Sequence, residues 1–239
     1  MPKPFTIFVG AQKGGVGKTT CSIALMDYFA QRGMPARGWD TEMPKGNLIR
    51  FQRPRTQLVD ISTSDGQMDV FDSLQQTPVS LIDMKAGILA DTVQLIHDLG
   101  CVRLAEQGLM RLALFHVIGS SIASIDEIAE TARALGDAVR HYVVINHHTN
   151  DASFFANMPD VSKDALNSSA VIVNIPKLNT RAMEFVDANT RRPNVPDQAK
   201  SFTGFGADEG NSFTMRGYVN SWTEKVFAEF DAARLTTRD

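Results

Sequence analysis

Short apolar runs alternate with segments of helical periodicity along most of the chain. The apolar runs predict seven strands, at residues 5–10, 35–40, 57–62, 79–83, 111–118, 141–146 and 170–175. Between many of them, apolar residues recur three or four positions apart, which is typical of helices that pack on a sheet. This alternation predicts an α/β fold: a single doubly wound domain over residues 1–239, with a mostly parallel sheet flanked by helices.

Two of the predicted helices carry clear start or stop signals. The first extends from 18 to 32, and Gly33 directly after it is a typical helix end. The second covers 122–135, where Ser124 and Glu127 have the spacing of a capping box.

The last quarter of the chain departs from the alternation. Residues 189–212 are rich in proline, glycine and polar side chains, and predict a long mobile loop. Residues 213–235 predict an amphipathic helix, whose apolar positions are Tyr218, Trp222, Val226 and Phe230. Acidic residues on its polar face favour packing on the domain over binding to a membrane surface.

Composition narrows the class of protein. The 239 residues are 43% hydrophobic and 21% charged, which is typical of an ordinary globular chain. A net charge of -3 argues against a globally basic nucleic-acid binder. With no recognisable leader and no apolar run long enough to cross a bilayer, we expect a cytoplasmic protein. Cys21 and Cys101 have no metal-type spacing and are expected to be reduced thiols.

The stretch "GAQKGGVGKTT", residues 10–20, joins a predicted strand to a predicted helix through a glycine-rich turn. Such a turn directs backbone N–H groups at polyphosphate, with Lys18 reaching the β- and γ-phosphates and the Thr19 hydroxyl ligating Mg²⁺. The candidate nucleotide contacts are Gly14, Gly15, Val16, Gly17, Lys18, Thr19 and Thr20. Gln12 stands where the strict phosphate-loop pattern has glycine, and Lys13 is a second lysine that the pattern does not require.

The segment "KGGVGKTT" resembles the deviant Walker A motif of the ParA/MinD ATPases. The resemblance implies a P-loop NTPase fold that binds ATP or ADP with Mg²⁺ and hydrolyses ATP slowly. It also implies that Lys13 crosses to the nucleotide of a partner subunit in an ATP-bound homodimer. The catalytic residues carried over are Lys13, Lys18 and Asp40.

Two acidic segments extend the resemblance. "WDTEMPKGNL" is similar to the family's D-x-D-P-Q-G-N, which makes Asp40 the residue that positions the attacking water and the Mg²⁺ shell, although Glu42 replaces the second acid. A helix cap or an exposed turn acid is the alternative for Asp40. "DMKAG" is similar to D-S-P-A-G, so that Asp83 holds Mg²⁺ through water, the alternative being a turn acid. Lys85 replaces proline there and is either a solvated loop lysine or a charge near the γ-phosphate.

Later segments resemble the family's adenine pocket. "VVIN" ends at Asn146 and "IVNIPKLNTRAMEF" contains Pro176, and both residues are candidate adenine contacts by resemblance. A turn-forming asparagine is the alternative for Asn146.

Three weaker leads complete the set of candidate residues. His147 and His148 are adjacent, but no third metal ligand has suitable spacing. Clustered arginines at 50, 53 and 55, and a pair at 191–192, are candidate phosphate, partner or DNA contacts, with solvated loops as the alternative.

The resemblance implies an ATP-dependent dimerisation switch that partitions or positions plasmid, chromosome or protein cargo. Its expected partners are a second copy of the chain and an adaptor protein. Non-specific DNA, and with it nucleoid association, is a further candidate, whereas no membrane partner is expected. Within the family the C-terminal half looks most like the StbB/TraL branch. The alternatives are a plasmid transfer or stability ATPase acting through protein partners without DNA, and a metallochaperone-type ATPase.

Overall fold

The computed structural model describes residues 3–11, 13–119, 123–148 and 170–236, without the side chains of 123–127. Within these ranges seven strands form one sheet. In chain order they are β1 (Phe5–Gly10), β2 (Ala36–Asp40), β3 (Thr56–Leu58), β4 (Val79–Asp83), β5 (Arg111–Ile118), β6 (Val139–Asn146) and β7 (Val171–Ile175).

All pairs of neighbouring strands are parallel, in the spatial order β3-β2-β4-β1-β5-β6-β7. The carboxyl ends of the strands therefore meet at one edge of the sheet. β1 is central, and the chain continues to one side of it for β2 to β4 and to the other side for β5 to β7. Ligands of such sheets bind in the crevice at the carboxyl edge where the strand order reverses.

The strands are continuous apolar runs because both faces of the sheet are covered by helices. Every residue of β1 is buried, with Ile7 and Val9 in the larger core cluster and Phe8 in the cluster on the opposite face. The helices are α1 (Lys18–Gln31), α2 (Ile49–Gln52), α3 (Ser64–Phe71), α4 (Leu89–Asp98), α5 (Cys101–Glu106), α6 (Ala123–Leu135), α7 (Thr180–Thr190), α8 (Phe202–Ala207) and α9 (Phe213–Ala232).

Helix α1 is buried along most of its length, because it lies between the sheet and α9. The Tyr28 hydroxyl donates to Asp231 of α9 at 2.8 Å, and Arg32 pairs with the same carboxylate at 2.6 Å. Gly33, at φ +65, directly follows Arg32 beyond the helix end, as its sequence position predicts. The helix that begins at the phosphate loop is thereby anchored to the C-terminal part of the fold.

Helix α9 confirms the predicted C-terminal helix. Trp222, Val226 and Phe230 are buried in the larger core cluster, so the helix packs on the domain as expected. Tyr218 differs from the pattern, because its side chain remains 47% exposed near the start of the helix. Among the described residues, none of the helices is long and apolar enough to span a membrane.

Residues 189–212 are not one long irregular loop. The segment contains a 3₁₀ turn (Asp197–Ala199) and α8, and Phe202 and Phe205 are fully buried. The Ser201 hydroxyl caps α8 by accepting from Gly204 N at 3.1 Å. The composition pointed to a loop because glycine and proline are frequent, but the two buried phenylalanines supply the packing that orders a short helix.

Strand β3 is shorter than the predicted 57–62. It is an edge strand, and the chain turns after Leu58 because the Asp60 carboxylate accepts from Ser62 N at 3.1 Å and from its hydroxyl at 2.6 Å. The proposed capping residues Ser124 and Glu127 have side chains outside the described set, although α6 itself is present.

The buried role of α8 can be tested by truncating one of its phenylalanines. Phe202 is fully buried, with its ring centroid 4.6 Å from that of Trp222. Phe202→Ala is expected to lower the free energy of unfolding by about 3–5 kcal/mol, because it leaves a cavity. Phe213→Ala is the matched control; its side chain is 84% exposed, and a change within about 0.5 kcal/mol is expected. Urea unfolding of both variants measures the difference, and equal small effects would show that residues 197–207 do not pack as described.

Candidate nucleotide-binding site

The phosphate loop lies at the carboxyl end of β1, at the centre of the sheet edge. Gly15 and Gly17 have φ values of +77 and +100, a region that glycine adopts without strain. Helix α1 begins at Lys18 with no side-chain cap, so its first turn keeps N–H groups available to an anion. Gln12 lies outside the described residues.

Asn146 supports this loop from the end of β6. Its side-chain Nδ2 donates to the Val16 carbonyl at 3.1 Å, and its Oδ1 accepts from His148 N at 3.1 Å. A Cβ at Gly17 would lie 1.9 Å from that Nδ2, so glycine is required there by close approach as well as by φ. The second bond is the two-residue turn pattern expected of a turn-forming asparagine. The adenine contact of Asn146 stays a prediction, since its amide is engaged by the loop.

Asp83 closes β4 beneath the start of α1. Its two carboxylate oxygens accept from the Thr19 hydroxyl and from the Ser22 hydroxyl, each at 2.9 Å. The side chain is nearly inaccessible, at 4% exposure. Burial and repulsion from Asp40 raise its pKa to about 7, against the opposing effects of both hydroxyls and of Lys18. Asp83 is therefore a buried acid rather than an exposed turn acid.

Lys18 extends into the same region. It is 8% exposed, and burial lowers the pKa of its ammonium group, while the charges of Asp83 and Glu42 act in the opposite direction. Lys18 thus stands beside two carboxylates at a helix start, and its contact with phosphate oxygens stays a prediction. Glu42, which replaces the family's second acid, thus contributes to the field around Lys18.

Asp40 ends β2 opposite Asp83 in the register of the two strands. Its fully buried carboxylate accepts three backbone N–H bonds, from Glu42 at 3.0 Å, Asn47 at 2.7 Å and Ile49 at 3.0 Å. Ile49 is the first residue of α2, so the Asp40 carboxylate bonds an N–H at the start of that helix from nine positions away, while the cap residue itself is Leu48. Asp40 is buried and is therefore not an exposed turn acid. Its role toward water and Mg²⁺ stays a prediction.

Four other predicted residues have the following places in the structure. Lys13 is exposed, with its side chain close to Gly119 at the end of β5. Thr20 is half-buried in the first turn of α1. Pro176 follows β7, and its carbonyl accepts from Trp222 Nε1 at 2.6 Å. Lys85 is exposed, in keeping with a solvated loop lysine.

The weaker leads have structural partners. His147 Nε2 is 3.1 Å from Asn174 Oδ1, and the described part of the chain holds no cluster of three candidate metal ligands. Arg50 and Arg191 both pair with Asp187, at 2.6 and 3.0 Å. Their charges are partly neutralised by these ion pairs, so the two side chains are not simply solvated, and the phosphate, partner or DNA contact stays a prediction. Cys21 and Cys101 are free and buried.

Sequence reasoning missed Ser22 and Thr41. Ser22 lies three positions after Thr19, so that both hydroxyls share one face of α1, and this spacing was the available signal. Thr41 follows Asp40 directly, and its hydroxyl donates to the Asp83 carbonyl at 3.2 Å. No sequence pattern indicated that contact, because its partner lies 42 positions away.

The raised pKa of Asp83 predicts a pH-dependent stability of the nucleotide-free protein. Between pH 5 and 6.5 the unfolded chain has released a proton that folded Asp83 still binds, since its folded pKa is about 7 against 3.8. The free energy of unfolding therefore falls as pH rises through this range, by up to about 1.4 kcal/mol per pH unit. Asp83→Asn removes this contribution, so its stability should depend less steeply on pH in urea unfolding. Parallel curves for the two proteins would contradict the assignment.

Three solved structures share the fold. A nucleotide-binding protein from Archaeoglobus fulgidus, in complex with ADP, is 17% identical, with a TM-score of 0.54 over 81% of this chain and 90% of that one. The MinD cell division protein of Aquifex aeolicus is 15% identical, with a TM-score of 0.50 over 94% and 97%. A ParA family ATPase from Chlorobium tepidum is 11% identical, with a TM-score of 0.51 over 93% and 98%. No curated protein sequence matches the chain.

The family match is more extensive than these identities suggest. A sequence profile of the CobQ/CobB/MinD/ParA nucleotide binding domain matches residues 7–184. That span covers most of the chain and includes the phosphate loop, Asp40, Asp83 and Asn146. The MinD and ParA family structures share its fold, and the chain belongs to the CobQ/CobB/MinD/ParA nucleotide-binding domain family.

Proposed function

We propose that the chain is an ATP-dependent dimerisation switch with slow ATP hydrolysis, which positions or partitions a cargo in the manner of ParA. The observation that carries the proposal is the arrangement of Lys18 and Thr19 against Asp83 at the start of α1. In the proposal, Lys18 is the cation for phosphate, and the neighbouring oxygen atoms are donors for a metal. The likeness to a nucleotide-binding protein in complex with ADP supports nucleotide as the ligand.

The donor chemistry of the site fits Mg²⁺. The Thr19 hydroxyl and the Asp83 carboxylate lie within 2.9 Å, and both are hard oxygen donors. Thr19 would ligate the ion directly, while Asp83 and Asp40 would hold its water shell. When bound, Mg²⁺ would supply positive charge that stabilises the charge developing on the phosphate oxygens. The chain's own residues orient the triphosphate: the loop amides and Lys18 bind it, and Asn146 fixes the loop through Val16.

Hydrolysis needs orientation of water more than strong base chemistry. Asp40 is the proposed orienting acid, yet its carboxylate holds the residues 42–49 through three N–H bonds. Those bonds must loosen when Asp40 turns toward water. Because Asp40 must first release these N–H groups, we expect ATP turnover to be slow.

The dimer is proposed from Lys13. It is exposed beside the phosphate loop, so its ammonium group is available to a second subunit. Binding energy from the γ-phosphate across such an interface shifts the monomer–dimer equilibrium toward the dimer, and a partner or adaptor protein responds to the population of dimer.

Removal of the buried lysine tests the phosphate site. Lys18→Ala should abolish ATP binding, because it leaves Asp83 and the triphosphate without their shared cation. Isothermal calorimetry in the presence of Mg²⁺ measures the loss. Lys3→Ala is the matched control, since Lys3 is an exposed lysine just before β1, at the opposite edge of the sheet. Micromolar ATP affinity in Lys18→Ala would contradict the assignment.

Removal of the exposed lysine separates binding from hydrolysis. Lys13→Ala should bind ATP within about threefold of the wild-type affinity, since its proposed contact is with the partner's nucleotide. Phosphate release should fall at least about tenfold, because that contact stabilises charge in the transition state. Calorimetry and a steady-state phosphate assay measure the two quantities. Wild-type turnover in Lys13→Ala would remove its role across the dimer.

A further inference from the structure

Thr41 directly follows Asp40 and contacts the backbone of Asp83. It directly follows β2 and is 4% exposed. Both its backbone N–H and its hydroxyl donate to the Asp83 carbonyl, at 3.1 and 3.2 Å. The same hydroxyl accepts from Lys85 N at 2.7 Å. One small side chain therefore joins the ends of two neighbouring strands.

The contact requires a group that donates and accepts at the same time. A hydroxyl does both, whereas the isosteric valine does neither. At 2.7 Å the bond from Lys85 N is short for an N–H donor. Lys85 stands where the resembling family segment has proline, which has no N–H. The N–H that donates to the Thr41 hydroxyl is therefore present in this chain because position 85 is lysine rather than proline.

The contact also joins two loops that begin at these strands. We call residues 41–48 the β2 loop and residues 84–88 the β4 loop. The β2 loop is held to Asp40 by the N–H groups of Glu42 and Asn47. The β4 loop is held to the end of β1, where Met84 N donates to the Val9 carbonyl at 3.0 Å. Thr41 is the side chain through which the first loop bonds the second.

We propose that Thr41 is a positioning residue for ATP hydrolysis. By bonding both Asp83 and Lys85, its hydroxyl keeps the β2 and β4 loops in one fixed relation, so that Asp40 and Asp83 act on the same nucleotide. This inference rests on the proposed hydrolysis, but the bond itself is measurable without it. Thr41 makes no contact with the phosphates and acts only through the two acids.

Four variants isolate the hydroxyl. Thr41→Val removes it at nearly constant shape, and Thr41→Ser restores it. Lys85→Pro removes the backbone N–H that donates to the Thr41 hydroxyl, and it also removes the exposed lysine side chain. Lys85→Ala removes the same side chain but keeps the N–H, so it is the control. Should Thr41→Val fail to fold cooperatively, the two Lys85 variants supply the same comparison.

Turnover is the first readout. Thr41→Val should lower kcat about tenfold and leave KM for MgATP within about twofold, because loop misplacement affects the reacting geometry more than binding. Thr41→Ser and Lys85→Ala should stay within about twofold of wild type. Lys85→Pro should have a lower kcat than Lys85→Ala. The double variant, Thr41→Val with Lys85→Pro, should have the kcat of Thr41→Val alone, since both changes break the same bond.

Amide exchange at Lys85 is the second readout and needs no nucleotide. It should become at least about tenfold faster in Thr41→Val and remain unchanged in Thr41→Ser. Unchanged exchange in Thr41→Val, or wild-type kcat despite faster exchange, overturns the proposal. So does a Thr41→Ser variant as slow as Thr41→Val. If amide exchange is faster in Thr41→Val but the wild-type chain does not hydrolyse ATP, the bond is established. The proposed hydrolysis, and with it the positioning role of Thr41, is then overturned.

Discussion

The buried carboxylate of Asp83 is the constraint on which the rest of the site depends. The Asp83 side chain is only 4% exposed, and a buried carboxylate without hydrogen-bond donors strongly destabilises the folded state. It therefore needs donors from the protein. Thr19 and Ser22 supply those bonds from the first turns of α1, and they join the phosphate-loop helix to β4. Parallel pairing of β4 with β1 then places that helix start directly above the strand that feeds the loop.

A second buried acid, Asp40, adds charge repulsion at this sheet edge. Asp40 lies opposite Asp83 at the end of the neighbouring strand, and its charge contributes to the raised pKa of about 7. Asp40 is stabilised by three backbone N–H groups, whereas Asp83 has two hydroxyls and the lysine of the loop. A divalent cation next to these acids would relieve their repulsion, which supports the proposed Mg²⁺ site.

Sequence reasoning succeeded where the fold depends on local patterns. The strands were predictable because a parallel sheet covered on both faces needs continuous apolar runs, and the loop because glycines and lysine serve phosphate at fixed spacing. It failed where a contact is formed by distant backbone. The Asn146 amide bonds a carbonyl 130 positions away, and Thr41 bonds Asp83 across 42 positions. The helix at 202–207 was missed because its stability comes from burial of Phe202 and Phe205 rather than from local propensity.

The proposed switch requires ATP to convert this chain from a monomer into a dimer. In that proposal, a γ-phosphate bound between the phosphate loop and the two acids would act on both loops, and through the exposed Lys13 on a facing subunit. Sedimentation velocity of the wild-type chain with Mg²⁺ and either ATP or ADP tests this most directly. We expect the mass of a single 26.2 kDa chain with ADP and about twice that mass with ATP. A chain that is saturated with ATP and still sediments as a monomer would contradict it.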